Sequence, residues 1–230
     1  MRKTGRKSIY FRSGWMVIAL WLLAIGASAQ QVVDKTVAVV SDGARYELIT
    51  YSDLLWQIAL QPGVPLIPPR SEDLEQALQT VINQRLFALE SRRLPRAAPT
   101  KEEIDAKIRE TIGFFSTPGE FQNRLRQVGF DSVGDEAFED LISRRMSIEN
   151  YVDFRFGSFV VVTADDEARY YRDIFVPEFR RRTPGLLLPT LDESRQEIRD
   201  TLERQKVGTA IEAFLDEAKR RVNIEILSGV

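Results

Sequence analysis

Apolar and polar positions follow two rhythms along this chain, one at each end and another between. Val32–Ser41 (VVDKTVAVVS) is β-branched and apolar enough for a buried strand. Asp42-Gly43 is a hairpin turn signal, because glycine tolerates the positive φ such turns demand, and Arg45–Ile49 supplies the returning strand. At the other end, Ile224 and Ile226 alternate with polar neighbours over Asn223–Leu227, the pattern of a short strand. A two-stranded hairpin is marginal alone, so this last segment is its natural third partner.

Between the ends the spacing is helical. Leu54, Leu55 and Ile58 open one helix that stops before Pro62-Gly63. Leu74, Leu78, Val81, Ile82, Leu86 and Leu89 stripe a longer one over Glu72–Arg92, with Ser71 as its cap. Further helices are expected over Lys101–Phe115, Glu120–Val128, Asp135–Phe156, Ala164–Val176 and Leu191–Val222. Thr100-Lys-Glu-Glu103 and Thr190-Leu-Asp-Glu193 fit the capping box, in which a hydroxyl and a carboxylate satisfy first-turn N–H groups; Thr163-Ala-Asp-Asp166 is a weaker version. Pro177–Pro189, with three prolines, three consecutive arginines and Gly185, reads as a linker or exposed loop. The fold class is therefore mainly α, a helical core with a small terminal β-sheet made by an N-terminal hairpin and a C-terminal strand.

The first residues have a different character. Arg2, Lys3, Arg6, Lys7 and Arg12 precede the apolar run Trp15–Gly26, and Ala27-Ser28-Ala29 follows it. This is the order of a cleaved secretory signal peptide, and the run is shorter than the ~20 residues of a spanning helix. Residues 1–29 are thus expected to be removed on export to the periplasm. Residues 30–176 then form the hairpin and helical core, 177–189 the linker, and 190–230 the closing helix and strand. Removing that leader takes away five positive charges and no negative one, so the remainder is acidic and no nucleic-acid partner is expected. Stable membrane insertion after cleavage is not expected either.

The chain has no cysteine and no histidine. Stability must come from packing rather than disulfides. The commonest general base, the usual zinc ligands and the thiol nucleophile are all missing, so no cofactor, metal or catalytic residue is expected. The carboxylate groups Glu102-Glu103, Asp165-Asp166-Glu167 and Asp192-Glu193 fall in helix first turns, where capping and the helix dipole account for them.

Taken in order, several segments resemble the SurA family of periplasmic chaperones. Val32-Val33-Asp34-Lys35, Val37-Ala38-Val39-Val40, the Gly43 turn and Thr50-Tyr51-Ser52-Asp53 resemble the start of its mature chain. Val81–Leu86, and Thr100–Ile104 with Phe121–Leu125, are similar to the helices that follow. Val162–Glu167 with Tyr170-Tyr171 looks like the helix before the parvulin domain, and Ala210–Leu227 like the closing helix and strand. The resemblance implies a helical peptide-binding core, akin to the C-terminal part of trigger factor, completed by both chain ends. Where the family inserts parvulin domains this chain has only Pro177–Pro189, and the histidines of the parvulin site do not exist here. Prolyl isomerase activity is not expected.

What the resemblance leaves is polypeptide holding, which requires apolar surface open to many sequences. The candidate peptide-binding residues are Phe114, Phe115 and Phe121 at one turn, and Tyr151, Phe154, Phe156 and Phe159 near the end of another helix. Aromatics at helical spacing are more often core, a reading that applies to Phe121, Phe138 and Phe214. Phe114 and Phe115 are adjacent, so one helix face cannot bury both. Leu186-Leu187-Leu188 either plugs a groove, the favoured reading, its own or that of a symmetric partner, or presents a sticky surface; Arg180–Arg182 is a solvated face. The expected partners are unfolded exported polypeptides, chiefly of the outer membrane, and a homodimer is left open. The alternative reading is a secreted assembly adaptor binding one defined partner through the same surface; a carboxylate enzyme is the third.

Overall fold

The computed structural model describes residues 34–92 and 97–227. The signal-peptide expectation for residues 1–29, the start of the mature chain to Val33, and residues 93–96 and 228–230 lie outside the described residues. The protein is mainly helical, with one three-stranded antiparallel sheet of order β2-β1-β3. Strand β1 is Thr36–Ser41, β2 is Tyr46–Thr50 and β3 is Asn223–Ile226.

β1 is the middle strand, so its backbone donors and acceptors are satisfied from both sides. Ser41 pairs with Tyr46 and Val39 with Leu48 on one side; Ala38 pairs with Ile226 and Val40 with Ile224 on the other. The first and last β segments therefore meet as the sequence pattern predicts. A bulge between Thr36 and Ala38 leaves Val37 out of the β2 register. Its carbonyl instead accepts from Leu227 N at 2.9 Å. The hairpin turn is closed by Asp42, whose Oδ1 accepts from Ala44 N and Arg45 N while Gly43 takes a φ of +87°.

The helices are α1 (Tyr51–Ala59), α2 (Ser71–Ser91), α3 (Lys101–Gly113), α4 (Pro118–Gln127), α5 (Glu136–Val152), α6 (Ala164–Tyr170), α7 (Val176–Arg182) and α8 (Leu191–Arg221). Complete capping boxes begin α1 (Thr50/Asp53), α3 (Thr100/Glu103), α6 (Thr163/Asp166) and α8 (Thr190/Glu193). Two starts differ from expectation. Ser71 lies inside the first turn of α2; Arg70 is the capping position and grips Asp73 through two bonds of 2.6 and 2.8 Å. α4 begins at Pro118 with Thr117 as cap, since proline's fixed φ suits the first helical position, where no N–H is needed.

The larger correction concerns Pro177–Pro189. Val176–Arg182 is helical, and only the segment after it is a loop. α6 runs through a π-helical turn, Tyr171–Phe175, directly into α7, and Pro177 sits in the first turn after it. The i→i+5 bonding of that turn displaces the ladder by one residue, which relieves the clash and the missing donor that would break an ordinary α-helix. A second π-turn, Asp153–Gly157, extends α5 where a plain α-helix to Phe156 is expected.

The buried side chains gather in three cores. The first joins β1 and β2 to α1 and α2, with Val37, Val40, Ile49, Leu54 and Ile58 fully buried and Ala218 of α8 closing it. The second lies among α3, α4 and α5 around Phe115, Phe121, Phe130 and Phe138. The third sets Phe87, Tyr151 and Phe156 against Val207, Ile211 and Phe214 of α8. α8 has 31 residues, about 46 Å at 1.5 Å per residue, and so reaches from the sheet to α6.

Arg124 ties the second core to the first. Its guanidinium donates to four carbonyls at the end of α1 and just beyond: Ile58, Ala59, Gln61 and Val64, at 2.8 to 3.1 Å. These are groups a helix C-terminus leaves unpaired, and the dipole there favours a cation. Trp56 Nε1 adds a bond to the Val128 carbonyl. Lysine cannot reproduce the planar fork. Arg124→Lys should therefore lower unfolding free energy by about 2–4 kcal/mol in a urea titration, the worth of one or two charge-assisted bonds left unmade; a change under about 0.5 kcal/mol would refute this role.

Candidate functional site

The aromatic candidates separate into buried and exposed sets. Phe121 is completely buried between Phe115, at 4.9 Å between ring centres, and Phe138 at 6.0 Å. Phe115 is also buried, whereas Phe114, in the neighbouring position, is 64% exposed. α3 stops at Gly113, short of the expected Phe115, so the two rings diverge in the turn after the helix rather than on one of its faces. Tyr151 and Phe156 are buried beside Phe87, and Phe156 also lies 5.5 Å edge-on to Phe214. Phe115, Phe121, Tyr151 and Phe156 are thus structural, removed from any open surface by the packing of helices distant in sequence. Phe138 is fully buried, and Phe214 is half-buried and stacked on Phe87.

Phe154 and Phe159 remain on the outside, 42% and 68% exposed, and their rings meet edge to face at 6.1 Å. The π-turn separates Phe154 from Phe156 in environment although they are two residues apart: Phe156 enters the third core and Phe154 faces solvent. Val161 is exposed just beyond, so residues 154–161 carry three apolar side chains that find no core.

Phe156 anchors this segment in the third core, and polar ties from α8 hold its far end. Lys206 of α8 donates to the Val161 carbonyl at 2.8 Å and to Asp166 Oδ2 at 2.7 Å. Glu167, only 3% exposed, receives Arg199 at 2.5 and 2.9 Å and Arg195 at 3.3 Å, both from α8. Asp166 thus serves as cap and clamp together, and Glu167 is a buried fastener; the dipole reading of that acidic run misses this second role. The exposed apolar residues consequently stand on a defined base.

Beside them lies a cleft of about 480 Å³ between α2 and α5. Thr80, Asn83, Gln84 and Phe87 form one wall, and Arg145, Ile148, Glu149, Val152 and Asp153 the other, ending one residue before Phe154. Gln57, at the rear, accepts from Gln84 and from Arg145 Nη2 through one oxygen. Burial pushes the Arg145 guanidinium down to about 10, with Glu149 opposing, so it stays cationic at neutral pH. No periodicity in the sequence marks this cleft, because its walls are over 50 residues apart and only tertiary packing brings them together.

Other candidates stand elsewhere. Leu187 is 94% exposed and Leu186 also faces out, so these leucines plug no groove of their own chain. Arg181 and Arg182 pair only with Glu178 on the exposed side of α7. Among the described residues no helix is long and apolar enough to cross a membrane.

The Lys206 ammonium, and then the N–H and hydroxyl of Thr163, hold the Asp166 carboxyl well below the usual carboxylate range. A carboxyl depressed on folding contributes stability above its unfolded value, near ~4, and loses it as pH falls toward the folded value. Acidifying from pH 5 to pH 2 should therefore loosen the 158–166 segment, read as faster amide exchange there than in β1. In Lys206→Met the carboxyl should titrate at higher pH by NMR, and an unmoved titration would refute the clamp.

No family model matches the chain, and no curated protein matches it.

Proposed function

We propose that this protein is a SurA-like holdase that captures unfolded exported polypeptides, chiefly of the outer membrane, in the periplasm, without prolyl isomerase activity. The observation that carries the reading is the apolar strip of Phe154, Phe159 and Val161, exposed yet mounted on a segment clamped to α8. Apolar side chains that a fold holds outward cost solvation in the free protein, and that cost is recovered when another chain covers them.

The chemistry of the strip suits promiscuous capture. Phenylalanine offers a large contact area with two side-chain torsions to immobilise, and an aromatic contact asks no particular partner sequence. Each contact is weak, so a client is released when it can bury its own apolar residues. The resemblance of the ordered segments to SurA, the signal-like leader and the acidic remainder support the same reading. Without histidine the chain lacks the imidazoles on which the parvulin site relies, which supports holding without isomerisation.

Light scattering tests this directly. The protein should suppress aggregation of at least three unrelated unfolded proteins at near-stoichiometric ratios. Phe154→Ser with Phe159→Ser should lose most of that suppression while changing folding stability by less than about 1 kcal/mol, because both side chains are surface-borne. Suppression of a single client only would favour the adaptor reading, and full suppression by the double variant would overturn the role of the strip.

A further inference from the structure

The α2–α5 cleft contains a cation that the protein does not neutralise. Arg145 has no carboxylate within ion-pair distance among the described residues. Its Nη2 donates to Gln57, and among the described residues its Nε is buried without a partner and its Nη1 makes no hydrogen bond. On the opposite wall Asn83 Oδ1 is likewise buried and unpaired. Orphaned polar atoms of this kind are costly and uncommon in a packed protein, and here both belong to residues that line one cleft.

Two acids share the cleft and must be weighed. Glu149 is engaged by Lys107 of α3 at 3.1 Å, which offsets its charge, and Asp153 stands exposed at the rim. Neither reaches the guanidinium closely enough to pair with it. Phe87, Ile148 and Val152 supply the apolar lining. The volume is that of a small-ligand site, too small for a long stretch of chain.

We propose that this cleft binds a carboxylate borne on an apolar residue, with Arg145 as its cationic anchor, and that the occupant is the C-terminal end of a captured polypeptide. A chain end offers the complement of both walls. Its carboxylate suits the arginine fork, and its terminal apolar side chain suits Phe87 and Val152. The cleft ends beside Phe154, so a chain anchored by its terminus continues onto the exposed strip. The identity of the occupant as a polypeptide end rests on the holdase reading; the carboxylate chemistry does not.

Calorimetric titration of the full chain with N-acetyl-Leu-Phe, its C-terminal amide and octanoate tests the site separately from aggregation suppression. The free acid should bind at least tenfold more tightly than the amide and more tightly than octanoate, and Arg145→Met should bring acid and amide to equal affinity. Arg145→Met also removes the bond to Gln57, so the acid–amide comparison on the unaltered protein decides the question even if the variant fails to fold. Equal binding of acid and amide, or a preference that survives in folded Arg145→Met, would overturn the proposal. Tighter binding of octanoate than of the dipeptide would overturn the chain end as occupant in favour of a small carboxylic acid.

Discussion

The pairing of β3 with β1 is the contact from which the rest of the arrangement follows. Four residue pairs join the last strand to the first, and Leu227 adds a bond to the bulged Val37. Because β3 begins two residues after α8 ends, this pairing sets where α8 starts back across the molecule. Ala218, Phe214 and Leu215 then pack into the first core, and Val207, Ala210 and Ile211 into the third. Closing so long a loop costs chain entropy that grows only logarithmically with its length. Buried valines on β1 and the apolar lower half of α8 offset it.

Beyond the third core α8 changes its mode of attachment. In its upper half Ile198 is fully buried, and Arg195, Arg199 and Lys206 reach to Glu167, Asp166 and the Val161 carbonyl. With Phe156 in the third core and these polar ties at the far end, Phe154, Phe159 and Val161 point outward. The two π-turns serve the same division. One sends Phe156 inward and Phe154 outward; the other lets α6 pass through Pro177 without breaking.

The parts legible in the sequence are those set by neighbours a few residues away. Thr50, Thr100, Thr163 and Thr190 cap helices as their spacing with Asp53, Glu103, Asp166 and Glu193 implies. The β-branched run before Asp42-Gly43, that turn, and the alternation of Ile224 and Ile226 likewise depend on local chemistry. Burial of Phe115, Phe121, Tyr151 and Phe156 does not: each is decided by helices that approach from elsewhere in the chain. The π-turns leave no signature in apolar spacing, and a proline with a triple arginine resembles a loop whether or not a helix runs through it. Arg145 and Asn83 are unremarkable in sequence and become unusual only when α2 and α5 enclose them.

The central claim is that a closed scaffold offers a clamped, outward-facing apolar segment to a foreign chain. Amide hydrogen exchange, with and without an excess of an unfolded client, tests it most directly. The account predicts slower exchange across residues 153–163 on client addition, with β1 and β3 protected to the same extent in both samples. Unchanged exchange in 153–163, or client-induced opening of the β1–β3 pairing, would contradict it.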